Sequence, residues 1–289
     1  MNSAPKGRNL AGIIPLSGWQ NSFDFPWPDY MQPLRQGLLA IDRSVYECAY
    51  AGADSIWIVC NDDYAPLVRE RIGDYVMSPR FFEEKDFVKV KGYHEKWIPI
   101  YYTPVLQKDR ERRDSLGWSI LHGALTAFRV SDRMSKWVCP TKYYVSFPYG
   151  IYNPAIVKKH RSDIRGNESF FLANAAETVR DNKYLGFTFH PEDWPKFKWN
   201  IKNQCTGGQK SIPINERWSS RHFSLGRIFD IDQIKIEKTV EVGDYYSLCS
   251  WANLQLYYSS DLKIPRPSKM FMKPYIYRSN KYLKSDKTS

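Results

Sequence analysis

The sequence predicts an α/β fold built on a mostly parallel sheet, and three observations predict it. Short, nearly continuous runs of apolar and β-branched residues recur along the first half of the chain. Runs of this kind suit strands covered on both faces, as in parallel sheets. Between them lie stretches with helical spacing, and turn residues close each run.

Taken in order, Asn9 to Leu16 reads as a buried strand that Ser17-Gly18-Trp19 ends. A loop rich in proline and aromatic residues follows to Pro33. A helix is expected from Leu38 to Ala51, because Leu38, Ile41, Val45, Cys48 and Ala49 share one face, and Gly52 stands at the C-terminal cap. Ser55 to Cys60 is the second strand. Asn61-Asp62-Asp63 is then a turn or helix cap, and a helix runs from Tyr64 to Ile72. The polar stretch Asp74 to Lys96 reads as an insertion, in hairpin form. Trp97 to Tyr102 is the third strand. The run Lys108-Asp109-Arg110-Glu111-Arg112-Arg113 precedes a helix from Ser115 to Phe128, with Asp114 or Ser115 as its N-cap. Lys142 to Phe147 is the fourth strand, entering Pro148-Tyr149-Gly150. Strand and helix alternating at this spacing make the β-α-β pattern.

The second half is less periodic. Ser169 to Phe189 reads as a β-hairpin or ribbon around Asp181-Asn182-Lys183. Pro195 to Arg221 reads as a long polar loop, Asp230 to Val242 as a strand, and Ser250 to Ser260 as a helix. A chain of 289 residues can bury a sizeable core. The expected layout is a disordered segment 1–8, one α/β domain over 9–265, and a basic tail over 266–289.

Composition narrows the function classes. No apolar run is long enough to span a bilayer, and no apolar stretch follows the first charges, so a cytoplasmic protein with no membrane partner is expected. Cys48, Cys60, Cys139, Cys205 and Cys249 are scattered and form no C-x-x-C pair, which favours free thiols over disulfides or zinc. The excess of 42 Lys and Arg over 31 Asp and Glu gives +11. That charge favours anionic partners: a nucleotide, nucleic acid or another polyanion.

In an open α/β sheet, ligands sit beyond the C-terminal ends of the strands. This rule selects the loops Leu16 to Trp19, Asn61 to Asp63, Gln107 to Ser115, and Ser146 to Tyr149. Ser17-Gly18 can bring backbone N–H groups to a phosphate, against the competing reading of an ordinary strand-ending turn. Arg110, Arg112 and Arg113 form the best anion cluster, beside the positive end of the helix that starts near Ser115; a solvated loop paired with Asp109, Glu111 and Asp114 is the rival. Asp62 and Asp63 read as a cap for the next helix, with metal binding as the alternative. His122 lies within a helix, with no telling partner.

Residues Ile13-Ile14-Pro15-Leu16-Ser17-Gly18, then Pro28 to Leu34, then Ala51-Gly52-Ala53-Asp54-Ser55-Ile56-Trp57-Ile58-Val59 resemble the opening of the sugar-nucleotide nucleotidyltransferases (pyrophosphorylases). Asp114 to Leu121 and Lys142 to Gly150 stand where that family has its G-T-A-x-A and V-L-N-G-D segments, and Tyr246 to Trp251 where it has D-I-D-T-W. A looser resemblance is to proteins of tailed phages, which implies a host cytoplasm. The resemblance implies a Rossmann-like, glycosyltransferase-A type fold with a β-ribbon insertion. It implies transfer of a nucleotidyl group from a nucleoside triphosphate to a sugar phosphate, or glycosyl transfer from a nucleotide-sugar, with Mg²⁺ as cofactor. Carried onto this sequence, Arg113 and Asp29 become the candidate catalytic residues. Leu16, Ser17, Gly18, Asn61, Arg110, Arg112, Ser115, Gly117 and Ser146 become the candidate nucleotide-binding residues, with Asp62 and Asp63 as metal ligands.

The chain departs from the family pattern. Ser17 to Asp24 lacks the family's arginine, Asp29 replaces a lysine, and Val145-Ser146-Phe147-Pro148 has no carboxylate. Ser247 and Cys249 stand where late acids belong. These departures keep open a second class of function, a catalytically degenerate member that acts as a structural or binding protein.

Overall fold

Four parallel strands make the centre of the protein. The computed structural model describes residues 9–18, 26–79, 97–110, 115–202, 225–229 and 238–265. The elements are β1 (Leu10–Pro15), the small antiparallel pair β2 (Pro33–Arg35) and β3 (Leu38–Leu39), α1 (Ala40–Ala51), β4 (Ser55–Val59), α2 (Ala65–Ile72), β5 (Tyr75–Met77) and β6 (Trp97–Thr103). There follow α3 (Gln107–Arg110), α4 (Leu116–Met134), β7 (Lys142–Val145), β8 (Gly150–Ile151), α5 (Ala155–Lys159), α6 (Arg161–Arg165), β9 (Phe170–Ala173) and β10 (Phe187–Phe189). The last are α7 (Trp194–Lys202), α8 (Leu225–Phe229), β11 (Lys238–Glu241), β12 (Tyr246–Ser247) and α9 (Trp251–Tyr258).

The main sheet has the order β11-β9-β10-β7-β1-β4-β6-β5. Its parallel centre is β7-β1-β4-β6, with Ile13 opposite Val145 on one side and Trp57 on the other. The chain leaves β1 toward β4 and β6, then returns to the other side of β1 as β7. The order therefore reverses between β1 and β7. All four central strands fall where the apolar runs placed them.

Alternation along β1 fixes the layers. Gly12 faces α1, where a Cβ would stand 2.9 Å from Cys48 Sγ. Its neighbour Ile13 faces α4, reaching within 3.1 Å of where Gly123 would carry a Cβ. Successive strand residues point to opposite faces, so α1 and α4 cover opposite faces of the sheet. That cover on both sides explains why all six residues of β1 are buried.

Several expectations need correction. The apolar stripe of α1 exists, but all twelve of its residues are buried, so the helix is covered all round. Asn61-Asp62-Asp63 makes no side-chain cap for α2, whose N-cap is Tyr64. Pro195 to Arg221 begins as helix rather than loop, because Phe197 and Ile201 of α7 are both buried against the core; the rest of that stretch, from 203, lies outside the described residues up to 224. Helix α4 runs on to Met134, beyond Phe128. Strands β9 and β10 pair antiparallel as expected of a ribbon, and they extend the main sheet beyond β7. Of the hairpin expected over Asp74 to Lys96, residues 74–79 are described: their strand β5 pairs antiparallel with β6 at the sheet edge, and residues 80–96 lie outside the described residues. So do segments 1–8, 230–237 and 266–289. Among the described cysteines, Cys48, Cys60, Cys139 and Cys249 are free thiols. Among the described residues no helix is long and apolar enough to cross a membrane.

Candidate functional site

The C-terminal ends of β1 and β4 are tied together. The N–H groups of Leu16 and Ser17 both donate to the Val59 carbonyl, at 2.8 and 3.0 Å. The Ser17 hydroxyl donates to Asn61 Oδ1 at 2.9 Å. Behind them, the Ser119 hydroxyl of α4 donates to the Ser17 carbonyl at 2.6 Å.

The turn after β1 also meets the start of α4. Gly18 has φ +82°, the left-handed region where glycine alone is unstrained. A Cβ on it would lie 2.4 Å from the Ser115 carbonyl carbon. Ser115 is the N-cap, and its hydroxyl accepts from the Trp118 N–H at 3.2 Å. The nineteen-residue α4 therefore presents its positive end against the β1 turn. A cap of this type contributes about 1 kcal/mol. Ser115→Ala should lower the urea-unfolding free energy by roughly that amount, and Ser115→Asp should retain most of it. Equal stability of the wild type and Ser115→Ala would contradict the capping role.

The β6 end joins through α3. Arg110 Nη2 lies 2.6 Å from Asp62 Oδ2, and Arg110 Nε donates to the Val105 carbonyl at 3.2 Å. Asp62 remains 65 % exposed, so this ion pair is solvent-accessible. Asp63, next to it, is exposed. Arg112 and Arg113 lie outside the described residues.

Three other predicted residues have different surroundings. The Ser146 hydroxyl points into the core and donates to Glu47 Oε2 at 2.9 Å. Gly117 makes room for α8, since a Cβ there would stand 2.2 Å from Ile228 Cδ1. Asp29 is fully buried in a single helical turn, Asp29–Met31. It lies beside Tyr149, whose hydroxyl is raised well above its ordinary value by burial, then by Tyr30 and Asp29. Tyr149 in turn donates to the Leu16 carbonyl at 3.3 Å, and Asp29 itself is wholly shielded from solvent. His122 lies 3.5 Å from Thr103 Oγ1, and burial lowers its pKa. Spacing pointed to Ser115 but not to Ser119, whose place one turn further along the same helix face was the available signal.

The donor set does not fit a Mg²⁺ cage. That ion takes hard oxygen ligands, usually one or two carboxylates besides phosphates. Among the described residues no group of three or more His, Cys, Asp or Glu comes together to hold a metal. Asp62 is engaged by Arg110 and Asp29 is buried. At the late position the Ser247 hydroxyl lies 2.7 Å from Cys249 Sγ.

No protein-family model matches the chain, and no curated protein matches it. Solved structures do. A Bacillus anthracis protein assigned as a glucose-1-phosphate thymidylyltransferase, in complex with sucrose, is 11 % identical with a TM-score of 0.50, over 90 % of this chain and 98 % of that one. Rv0371c of Mycobacterium tuberculosis H37Rv is 11 % identical with a TM-score of 0.48, over 88 % and 98 %. The inositol-1-phosphate CTP transferase of T. maritima is 12 % identical with a TM-score of 0.45, over 90 % and 98 %. At such identity the likeness establishes the fold alone. The mixed α/β architecture with its mostly parallel central sheet is shared with the Bacillus anthracis structure.

Proposed function

We propose that this chain binds the phosphates of a nucleoside triphosphate or nucleotide-sugar at the joined turns after β1 and β4, and transfers a nucleotidyl group to a sugar phosphate. The observation that carries this reading is the apposition of Gly18 to Ser115. It sets a backbone turn against a helix N-terminus at the point where the strand order reverses, the usual place for a ligand in such sheets. The shared fold supports the general kind of chemistry but not its details.

In the proposed reaction a sugar-phosphate oxygen attacks the α-phosphorus. A new P–O bond forms as the bond to the bridging oxygen breaks, and pyrophosphate leaves with the electron pair. Gly18 and the start of α4 meet the phosphates, while Leu16, Ser17 and Asn61 hold the turn in place. Arg110 exchanges Asp62 for phosphate oxygens, and Arg112 and Arg113 add charge as pyrophosphate departs. Among the described residues the carboxylates do not converge, and no step is routed through a metal.

One observation favours a chain that binds without transferring. The two hydroxyls at the positions of the family's acids, Ser146 and Ser247, are both committed to protein partners. Two measurements separate the alternatives. A ligand at a hundredfold its Kd stabilises by about 2.7 kcal/mol, several degrees in Tm for a chain of this size. Nucleoside triphosphates or nucleotide-sugars should produce such a shift, and Ser17→Ala/Asn61→Ala should remove most of it. Pyrophosphate release with sugar phosphates then reports transfer. No shift with any of these ligands at millimolar concentration would sink the binding role, whereas a shift without release would leave binding alone.

A further inference from the structure

A second anion site is built at the opposite edge of the sheet. A pocket of about 390 Å³ is lined by Lys158 and Lys159 of α5, Arg161, Ser162 and Arg165 of α6, and Tyr50 of α1. Pro79, after β5, completes its wall. Among the described residues the lining carries four cationic side chains and no carboxylate.

The nearby acids lie outside the lining and have partners there. Asp54 pairs with Arg165 at 3.1 Å, and its other contacts reach the start of β1. Asp163 is held by Lys238 at 2.7 Å and His160 at 3.1 Å. The two arginines are anchored rather than free to wander. Arg165 donates to the Gly52 carbonyl, and the Arg161 guanidinium fills the space where Gly52 lacks a Cβ, with Nε 2.3 Å from that position. Gly52 is the left-handed cap of α1, so the helix end itself fixes them. Guanidinium groups held in advance lose less entropy when they chelate a phosphate.

We propose that this pocket binds a small, multiply charged phosphate compound. Its size falls within the range of small-molecule pockets, about 300–1,000 Å³. Its cations converge on one bounded space, which suits a compact polyphosphate better than a nucleic-acid strand tracked along a surface. Asp54 exchanges two hydrogen bonds with Leu10 at the start of β1: its N–H donates to the Leu10 carbonyl, and its carboxylate accepts from the Leu10 N–H. The Gly18 turn lies at the other end of β1, roughly 20 Å away at about 3.3 Å per residue. The site therefore does not depend on the nucleotide reading above.

The test uses the full chain, inorganic tripolyphosphate and hydrogen-exchange mass spectrometry at physiological salt, with affinity from calorimetry. Tripolyphosphate should slow exchange across 155–166. Lys158→Gln/Lys159→Gln, two exposed positions that should not disturb folding, should abolish that protection and weaken binding at least tenfold. Lys196→Gln/Lys198→Gln makes the same change of charge on α7 and should leave the protection intact. Ser17→Ala/Asn61→Ala should also leave it, whatever becomes of nucleotide binding. Absent protection in the wild type, or equal loss in both lysine pairs, overturns the proposal. Protection of the same segment by a short single-stranded oligonucleotide at lower concentration than tripolyphosphate would overturn the small-ligand assignment.

Discussion

Replacing Glu47 by alanine should lower the unfolding free energy by about 3–5 kcal/mol, the usual cost of stripping one partner from a buried ion pair. Glu47 and Arg43 stand one helical turn apart on α1, 2.6 Å from each other, and both are wholly buried. Glu47 Oε1 accepts from the Tyr144 and Tyr152 hydroxyls at 2.6 and 2.7 Å, and Oε2 accepts from Ser146 as well as Arg43. Arg43 also donates to the Phe147 carbonyl and lies 4.4 Å from the centre of the Tyr152 ring. Burial pulls the Arg43 guanidinium down, yet Glu47 and then Tyr152 more than offset this, so the guanidinium stays charged. Without Glu47 the arginine charge and three hydroxyls lose their acceptor together. Arg43→Met/Glu47→Leu removes both charges and should be more stable than Glu47→Ala, although the orphaned hydroxyls keep it below the wild type. Urea unfolding of the wild type, Glu47→Ala, the double variant and its two single changes, Arg43→Met and Glu47→Leu, measures this. A double variant as unstable as the sum of its single changes would mean that the two side chains act independently.

This cluster marks where the sequence stopped being legible. The apolar stripe Ile41, Val45 and Cys48 announces a helix on a sheet, and α1 is that helix. Arg43 and Glu47 lie off the stripe with the i, i+4 spacing of a solvent-facing pair. Nothing local shows that Tyr144, Ser146, Phe147 and Tyr152 will close over that side as well. The same limit applies to α7. Phe197 and Ile201 recur at helical spacing, and Trp194 Nε1 donates to the Leu121 carbonyl at 2.8 Å, but the lysines and proline between them read as a loop.

The strand-end rule and the family pattern picked residues of different fates. Ser17, Gly18, Asn61 and Ser115 were selected because they end strands or begin a helix, and the structure brings them together. The same strand-end rule also selected Ser146, whose hydroxyl turns into the core toward Glu47, and Gly117, taken from the helix start of the family pattern, makes room for Ile228. A strand end must lie on one edge of the sheet whatever its side chains, whereas a motif position keeps its role only if the residue that performs it is retained. Asp29 illustrates the difference, since its place in the pattern gave no sign of its burial.

The geometry at Gly18 makes the strongest functional prediction. Gly18→Ala forces an L residue into the left-handed region, which costs about 1–2 kcal/mol. It also drives a Cβ to within 2.4–2.5 Å of three Ser115 backbone atoms, which cannot swing aside as a side chain could. Overlap of this kind adds roughly 1–3 kcal/mol, relieved only if the turn moves away from α4. Gly243 offers the control, because it has φ +74° but nothing within 4 Å of its would-be Cβ. Gly243→Ala should show the conformational cost alone and keep the full nucleotide-induced rise in Tm. Gly18→Ala should be less stable by the overlap and lose that rise, because relief of the clash separates the turn from the helix N-terminus. Should the two alanine variants unfold alike and respond alike to nucleotide, the close approach of Gly18 to Ser115 would be neither tight nor part of a binding site.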